Sequence, residues 1–235
     1  MKGIILAGGK GTRLAPFNRL IKKELLPVYD KPLIYYPLIT LKNSGIDDIV
    51  LVSDPRNVHA FTDVIGEGED LGVNIRYTIQ NKQLGIADAL KNARPFFSEG
   101  EPAAVILGDN ILTENFAETV RNFSEGACIA LKEVPDPERF GIATLEGDRV
   151  VKIVEKPKEP ESNFAAIGFY VYDGTLFDRI DTLVPSARGE YEITDVNNQY
   201  LAEGKLKYVM VKDKWFDAGT FDSLLEASNY FASRK

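Results

Sequence analysis

Short apolar segments rich in β-branched residues alternate with longer segments of helical periodicity through the first half of the chain. The apolar segments lie at 3–7, 49–52, 73–79 and 103–107. The segments with helical spacing lie at 32–43, 56–65 and 85–97. Strands that are apolar along their whole length are buried on both faces, and parallel strands are joined by helical crossovers. The alternation therefore predicts an α/β fold with a mostly parallel central sheet flanked by helices.

The second half of the chain has a more antiparallel pattern. Strand-like segments follow one another directly at 129–134, 141–145, 150–155 and 165–172, and a Gly-containing hairpin turn occupies 146–148. The remaining segments are helices at 175–180, 193–203 and 220–231, with a strand at 206–211. Because no linker separates the halves, we predict a single domain over 1–235, nucleotide-binding up to about residue 125 and more antiparallel from about 126.

Composition excludes several classes of protein. One cysteine, Cys128, rules out a disulfide framework and a thiolate zinc site, and its place in an apolar strand makes it a core residue. One histidine, His59, argues against histidine-rich metal centres and a Ser-His-Asp mechanism. The net charge of −7 argues against non-specific nucleic-acid binding. No apolar run approaches the roughly 20 residues of a membrane helix, and the N-terminus lacks a signal-peptide pattern, so we expect a cytoplasmic protein.

The first strand runs directly into the turn Gly8-Gly9-Lys10-Gly11-Thr12-Arg13. Glycines after a strand allow backbone N–H groups to approach phosphate oxygens closely. The turn fits neither common phosphate motif, because Gly11 rather than Ser or Thr follows Lys10, and Leu14 stands where a dinucleotide motif has its third glycine. A purely structural turn is the alternative, and the adjacent Arg13 favours phosphate binding.

Charged residues follow the glycine turn and a later strand. Lys22 and Lys23 suit a triphosphate contact, although a lysine pair is most often a solvated surface. Asp109 follows the strand at 103–107, where ligands bind in open α/β sheets, although an aspartate there also commonly caps a helix. Asp217 is a second acidic candidate. Two carboxylates from distant segments suit Mg²⁺, which completes its shell with water and phosphate oxygens.

Three charged segments in the second half are bounded by glycine or proline, which restricts the backbone around the charged side chains. Ligand binding and surface turns would explain them equally well. The segments are Pro137-Glu138-Arg139-Phe140-Gly141, Val154-Glu155-Lys156-Pro157 and Ser186-Ala187-Arg188-Gly189-Glu190.

Seven motifs in a fixed order make the chain resemble the sugar-1-phosphate nucleotidyltransferase family over essentially its whole length. They are G-G-x-G-T-R-L-x-P at 8–16, K-x-L-L-P-V-Y-D-K-P at 23–32, G-D-N at 108–110, P-E-R-F-G at 137–141, E-K-P at 155–157, S-A-R-G-E at 186–190 and D-x-G-T at 217–220. The family has a Rossmann-like mixed sheet with a smaller antiparallel sugar-binding portion. The resemblance implies an enzyme that uses Mg²⁺ to transfer a nucleoside monophosphate from dTTP to α-D-glucose 1-phosphate, giving dTDP-glucose and pyrophosphate.

The resemblance also implies roles for individual residues. The residues expected to contact the nucleoside triphosphate are Gly8, Gly11, Thr12, Arg13, Gln80, Gly85 and Asp109, with Gln80 and Gly85 at the pyrimidine base. Those expected at the sugar phosphate are Gly141, Glu155, Lys156, Ala166, Tyr170 and Arg188. The expected catalytic residues are Arg13, Lys23 and Lys156, and the expected Mg²⁺ ligands are Asp109 and Asp217.

The implied reaction is an in-line single displacement at the α-phosphorus of the triphosphate. Its nucleophile, a phosphate, is ionised at neutral pH and needs no general base. The alternatives are a UTP-dependent uridylyltransferase and a non-catalytic sugar-nucleotide sensor. Retention of Arg13, Lys23, Asp109 and Asp217 argues against the sensor, and the glycine spacing argues against a dinucleotide-dependent oxidoreductase.

The chain departs from the family pattern at Ala15, Asn18, Lys22, Asp88 and Ile167. None of these changes removes an expected phosphate or metal group, although Ile167 lies in the strand beside the sugar. The chain also ends soon after its last helix, whereas many members of the family continue further. We therefore expect no second, regulatory nucleotide site and a small homo-oligomer.

Overall fold

The computed structural model describes residues 1–234 and contains thirteen β-strands and seven α-helices within them. The strands are β1 Lys2–Ala7, β2 Pro27–Val28, β3 Lys31–Pro32, β4 Asp48–Ser53, β5 Asn74–Ile79, β6 Gly100–Leu107, β7 Asn110–Leu112, β8 Ala127–Glu133, β9 Gly141–Glu146, β10 Arg149–Glu155, β11 Phe164–Gly174, β12 Leu206–Met210 and β13 Trp215–Asp217. The helices are α1 Tyr35–Asn43, α2 Val58–Ile65, α3 Ile86–Lys91, α4 Ala117–Arg121, α5 Leu176–Asp181, α6 Ile193–Ala202 and α7 Phe221–Ala232.

Four parallel strands in the order β6-β1-β4-β5 form one side of the main sheet, with β5 at its edge. Successive residues of a strand point to opposite faces, so each face of β1 enters a different core. Ile5 packs with side chains of α1 and α2, whereas Ile4 packs with side chains of α3, α5 and α6. Helices therefore cover the sheet on both faces, as the apolar character of these strands predicts.

The long strand β11 joins the parallel strands to the antiparallel part of the sheet. Its residues 169–172 pair with β6, and its residues 164–166 pair with β9. Strand β8 pairs with its other edge, and β9 and β10 form a hairpin. The predicted Rossmann-like mixed sheet with a smaller antiparallel portion is thereby confirmed.

A two-stranded sheet of β7 and β13 adjoins the end of β6. Asn110 and Asp217 are register partners in this sheet, and the Ala218 N–H donates to the Asp109 carbonyl at 2.9 Å. Helix α7 begins immediately afterwards, and Thr220 caps its N-terminus by accepting from the Ser223 N–H at 3.2 Å. This cap fixes the chain direction directly after Asp217.

Local structure tests the predicted end of a helix, a possible helix cap at Asp109 and the predicted burial of Cys128. The helix expected at 85–97 ends at Lys91, because Pro95 has no N–H to donate to the Lys91 carbonyl, and the chain continues as a 3-10 turn at Arg94–Phe96. Asp109 does not cap a helix, since strand β7 begins at the next residue. Cys128 is buried as expected, and burial raises the pKa of its thiol to about 11.

None of the helices in residues 1–234 has both the length and the apolar character that crossing a bilayer requires.

Candidate active site

The carboxyl ends of the four parallel strands bring polar segments together at one edge of the sheet. Gly8 follows β1, Asp54 follows β4, Gln80 follows β5, and Asp109 lies two residues beyond β6. Parallel pairing aligns these ends, so residues far apart in sequence become neighbours. This edge is where open α/β sheets bind their ligands.

A cavity of about 440 Å³ opens beside the glycine turn at this edge. It is lined by every residue expected at the triphosphate: Gly8, Gly11, Thr12, Arg13, Lys23, Gln80, Gly85 and Asp109. Glu24, Gln83 and Glu190 also line it, although sequence analysis assigned them no role. Gln83 donates to the Gly8 carbonyl, a contact that depends on how the loop after β5 folds and therefore leaves no motif in the sequence.

The glycine turn adopts a backbone that side chains would disrupt. Gly11 has φ 59° and ψ 33°, in the left-handed region that glycine occupies without steric penalty. A Cβ at Gly8 would lie 2.8 Å from the Oε1 atom of Gln80, so a larger residue there would have to displace the Gln80 amide. Both glycines therefore keep the backbone of the turn open to a ligand in the cavity.

Lys22 anchors the glycine turn to the end of β4. Its Nζ atom donates to the Gly9 carbonyl at 2.7 Å and to Asp54 Oδ2 at 2.8 Å. Burial by itself raises the pKa of Asp54, but Lys22 and Asn57 outweigh this effect and hold that pKa below its ordinary value. With 7% of its surface exposed, Lys22 is not the solvated surface residue that a lysine pair usually is, and it holds the turn rather than facing a phosphate.

Lys23 and Asp109 form the ion pair at the centre of the site. The Lys23 ammonium donates to Asp109 Oδ2, and Glu24 Oε1 lies 3.8 Å from the same nitrogen. Burial by itself lowers the pKa of Lys23, but the two carboxylates outweigh it and hold that pKa above its ordinary value. Burial likewise acts to raise the pKa of Asp109, and Lys23 reverses the shift. Both groups are therefore charged at neutral pH.

Asp217 is a second carboxylate beside Asp109. Its Oδ2 atom lies 3.6 Å from Arg13 Nη1 and accepts a hydrogen bond from Arg139 Nη2 at 3.0 Å. Burial raises the pKa of Asp217, and repulsion by the Asp109 carboxylate raises it further, against the effect of the two arginines. Arg139 comes from the P-E-R-F-G motif, so the structure gives that segment a place in the site.

Asn110 holds the two carboxylate segments together. Its Oδ1 atom accepts from Trp215 Nε1 at 2.6 Å and from the Gly168 N–H at 3.3 Å, and its Nδ2 atom donates to Asp109 Oδ1 at 3.0 Å. One buried amide thus connects β7, β13 and β11. Asn110 belongs to the G-D-N motif, but the motif does not predict this role. Two of its contacts are tertiary and the third forms only in the folded turn.

Asp109 and Asp217 could together hold a divalent cation. The two carboxylates are close enough for their negative charges to repel each other, and both offer carboxylate oxygens, the ligands that Mg²⁺ prefers. Within residues 1–234, no group of three or more His, Cys, Asp or Glu side chains is arranged to bind a metal. A metal at this pair would therefore take the rest of its ligands from water and from bound phosphates.

A second cavity of about 290 Å³ adjoins the first and shares Arg13, Ile86, Leu107 and Asp109 with it. The other lining residues that the sequence predicted are Gly141, Glu155, Lys156, Ala166, Tyr170 and Asp217. Thr194 also lines it and donates to Glu155 Oε2 at 2.6 Å, a contact that fixes the carboxylate.

Lys156 and Arg188 approach Glu155 from different segments. Lys156 has φ 43°, a left-handed conformation that is strained for a residue other than glycine and is typical of functional sites. Its Nζ atom lies 3.8 Å from Glu155 Oε1, to which Arg188 donates at 3.2 Å. Arg188 also donates to Glu192 Oε2 at 2.8 Å. Arg188 contacts Glu155 but is not among the described residues that line either cavity. Its contact with a phosphate therefore stays a prediction.

Glu24 is a carboxylate buried under the ion pair. It is 1% exposed, and its Oε2 atom has no hydrogen-bond partner within the described chain. Burial raises the pKa of Glu24 to about 7, although Lys23 and Lys22 act to lower it. The folded protein therefore binds a proton at Glu24 more tightly than the unfolded chain does.

Known proteins resemble this chain over nearly its whole length. The sequence profile of the Nucleotidyl transferase family matches residues 2–234. A glucose-1-phosphate thymidylyltransferase of Mycolicibacterium smegmatis is 44% identical over 236 residues, covering 98% of this chain and 82% of that protein. A glucose-1-phosphate thymidylyltransferase of Neisseria meningitidis is 42% identical over 237 residues, with the same shares covered.

Two solved structures share the fold. A Bacillus anthracis protein assigned as a glucose-1-phosphate thymidylyltransferase, crystallised with sucrose, has a TM-score of 0.93 and 43% identity, covering 98% of this chain and 94% of that one. A UDP-glucose pyrophosphorylase in complex with UDP-glucose has a TM-score of 0.87 and 24% identity, covering 100% and 99%. At that identity the second likeness concerns the fold alone.

We predict that Glu24→Gln makes stability less dependent on pH. Because the folded pKa of Glu24 is about 7 against an ordinary 4.5, its stabilising effect is full below pH 4.5 and is lost as the pH rises to about 7. Between pH 5 and pH 8 the parent should lose about 2 kcal/mol of unfolding free energy that the variant does not lose. Urea unfolding at both pH values measures the difference.

Glu101→Gln is the matched control for this experiment. Burial acts to raise the pKa of Glu101, but its 2.6 Å contact with Lys2 lowers the pKa below the ordinary value. Its stabilising effect is therefore present above pH 4.5 and lost only at lower pH. Glu101→Gln should lower the unfolding free energy by nearly the same amount at pH 5 and pH 8. If Glu24→Gln also changed the unfolding free energy equally at both pH values, the prediction would be wrong.

We predict that Lys22→Met lowers both stability and nucleoside triphosphate affinity, and that adding Asp54→Leu restores only the stability. The single variant leaves the buried Asp54 carboxylate with hydrogen bonds from Asn57 and Arg56 but without a cation, and should lower the unfolding free energy by about 3 kcal/mol. The double variant should recover most of that loss, because neither charge is left buried. Both variants free the Gly9 carbonyl, so both should bind a nucleoside triphosphate roughly tenfold or more weakly by calorimetry. Full affinity in the double variant would show that the anchor does not serve binding.

Proposed function

The chain belongs to the nucleotidyl transferase family, and we propose that it transfers the thymidylyl group of dTTP to α-D-glucose 1-phosphate, forming dTDP-glucose and pyrophosphate. The observation that carries this proposal is that two adjacent cavities share Arg13 and Asp109. A triphosphate in one cavity and a sugar phosphate in the other would meet at these residues. The names of relatives at 42% to 44% identity support dTTP and glucose 1-phosphate as the substrates.

The reaction is a single displacement between two anions. An oxygen of the sugar phosphate attacks the α-phosphorus, a new P–O bond forms, and the bond to the bridging oxygen of the β-phosphate breaks as pyrophosphate leaves. The attacking phosphate is already ionised, so no proton has to be removed from it. No histidine lines either cavity in the described chain, which agrees with a mechanism without a general base.

Repulsion between the substrates is the first barrier, and cationic side chains lower it. Arg13 and Lys23 would neutralise the triphosphate, and Lys156 would neutralise the sugar phosphate with help from Arg188. All four are paired with carboxylates, so binding would exchange one anionic partner for another. Positioning and electrostatic stabilisation are the main contributions of a protein to phosphoryl-type transfer.

The remaining residues of the two cavities would recognise the base and the sugar. The backbone of Gly8, Gly11 and Thr12 would wrap the phosphates, and Gln80 and Gly85 would contact the pyrimidine. Glu155 would accept hydrogen bonds from sugar hydroxyls, since Thr194 already fixes its carboxylate. The other residues assigned to the sugar phosphate are Gly141, Ala166 and Tyr170.

Asp109 and Asp217 fit a Mg²⁺ ion as the cofactor of this reaction. They are two carboxylates that repel each other, next to a cavity sized for phosphates, and this is the protein contribution that Mg²⁺ sites commonly use. When bound, the ion would neutralise phosphate charge. Lys23 holds the Asp109 carboxylate, and Arg139 holds that of Asp217, so both carboxylates are oriented by the protein itself.

The uridylyltransferase alternative is not favoured, because the UDP-glucose pyrophosphorylase is 24% identical and supports the fold alone. The non-catalytic sensor is disfavoured by Arg13, Lys23, Asp109 and Asp217, all of which line one or both of the two cavities. Because a nucleoside triphosphate is an intracellular substrate, we retain a cytoplasmic location as part of the proposal.

We predict that pyrophosphate release is fastest with dTTP and glucose 1-phosphate in the presence of Mg²⁺. The assay compares dTTP with UTP, each with glucose 1-phosphate and with its galactose and glucosamine counterparts. Preference for UTP or for another sugar would keep the mechanism and change the substrate. No release with any pair would support the sensor instead, and equal rates with and without chelator would exclude the metal.

We predict that Asp109→Asn and Asp217→Asn differ in stability while both reduce turnover at least a hundredfold. Lys23 lowers the pKa of Asp109, so its carboxylate stabilises the fold and the amide should not. The raised pKa of Asp217 means that its carboxylate opposes folding at pH 7, so Asp217→Asn should unfold at the same or a higher temperature. Turnover at saturating Mg²⁺ and thermal unfolding at pH 7 are the measurements.

The exposed Asp213→Asn, in the same segment as Asp217, is the control and should change neither quantity. Unchanged turnover in either active-site variant would remove that carboxylate from the proposed metal site.

A further inference from the structure

The side-chain amide of Gln80 is held in one orientation by two contacts. Gln80 is 4% exposed and lines the cavity beside the glycine turn. Its Oε1 atom faces Gly8, where an added Cβ would lie 2.8 Å away, and its Nε2 atom donates to Asp88 Oδ2 at 3.0 Å. The nitrogen therefore faces helix α3, and the oxygen faces the glycine turn.

Asp88 makes this orientation obligatory. An ionised carboxylate can only accept hydrogen bonds, so the group that faces it must be a donor. If the Gln80 amide rotated by half a turn, its oxygen would face the Asp88 oxygen, and two acceptors would meet at a partly buried contact. An unmade hydrogen bond of this kind at a charged group is destabilising. A side chain that could both donate and accept at position 88 would permit either orientation.

The helix that carries Asp88 is itself fixed against the neighbouring segment. The Ala87 N–H donates to the Tyr191 carbonyl at 3.1 Å. Gly85, the residue before α3, lies so close that an added Cβ would be 2.5 Å from the same carbonyl oxygen. The Asp88 carboxylate is therefore presented to Gln80 from a backbone with little freedom to move.

The two amide orientations suit different pyrimidines. Thymine and uracil present a ring N3–H donor between two carbonyl oxygens, whereas cytosine presents an N3 acceptor beside an amino donor. The Gln80 oxygen can accept from N3–H while the second Nε2 hydrogen donates to a neighbouring carbonyl. Cytosine in the same position would need the opposite orientation, which the hydrogen bond to Asp88 disfavours.

We infer that Asp88 is a positioning residue that fixes the Gln80 amide to accept from N3–H and so selects thymine and uracil over cytosine. This inference rests on the proposed function, because it requires a pyrimidine nucleotide in the first cavity. Asp88 does not distinguish thymine from uracil, since both bases present the same edge to the amide.

Asp88→Asn tests the inference, since an asparagine can face Gln80 with either its oxygen or its nitrogen. The ratio of kcat/KM for dTTP to that for dCTP should fall about tenfold, the usual size of one hydrogen-bond preference. The ratio of dTTP to UTP and the KM for glucose 1-phosphate should not change. Asp88→Ala, which removes the acceptor altogether, should lower the dTTP to dCTP ratio in the same direction.

Asp222→Asn is the matched control, because Asp222 also lies in the first turn of a helix but is exposed and does not line the cavity that contains Gln80. It should leave the dTTP to dCTP ratio at the parent value. If both Asp88 variants lose kcat/KM equally for dTTP and dCTP, Asp88 is only structural and the inference is wrong.

Calorimetric titration of the parent and Asp88→Asn with dTTP and with dCTP separates this inference from the proposed function. A parent that binds dTTP more tightly than dCTP, with a smaller ratio in the variant, supports the role of Asp88 whether or not the chain turns over. A parent that does not turn over contradicts the proposed function alone. Equal binding of the two nucleotides by the parent contradicts the inference about Asp88.

Discussion

The ion pair between Lys23 and Asp109 determines how the rest of the site is charged. A lysine buried near phosphate-binding backbone would lose its proton or destabilise the fold without an anionic partner. Asp109 and Glu24 supply that partner, and Lys23 stays charged as a result. The same principle extends to Arg13, which lies 3.6 Å from Asp217. Carboxylates thus neutralise the cationic side chains at the end of the sheet. Under the proposed function, an anionic ligand would replace the carboxylates as partner of Arg13 and Lys23.

Supporting contacts hold these charged groups where the strand ends place them. Asn110 ties the segment of Asp109 to β11 and β13 with one buried amide, and Lys22 ties the glycine turn to Asp54 at the end of β4. Neither side chain needs to touch a ligand. Both matter because small displacements of charged groups greatly weaken electrostatic stabilisation of a transition state.

The arrangement of strands and helices could be predicted because each parallel strand carries its own apolar run. The helix expected at 85–97 is shorter, because Pro95 interrupts its hydrogen bonds, and the apolar spacing on which the prediction rests continues past that residue. Strands β7 and β13 have three residues each, too few for a periodic signal. The role of Lys22 was not predictable either, since its partner Asp54 comes from another strand end and the two meet only in the fold.

The negative net charge of the chain is compatible with the proposed binding of anions, because the cationic side chains at the two cavities act only over short distances. With a net charge of −7, the chain would not attract a polyanion from a distance. Arg13, Lys23 and Lys156 each lie beside a carboxylate, and under the proposed function a phosphate would replace those contacts, so binding would depend on exchange of partners. Such exchange favours small ligands that place a few phosphate oxygens among these groups. A nucleic acid, whose affinity depends on an extended basic surface, would find no equivalent attraction here.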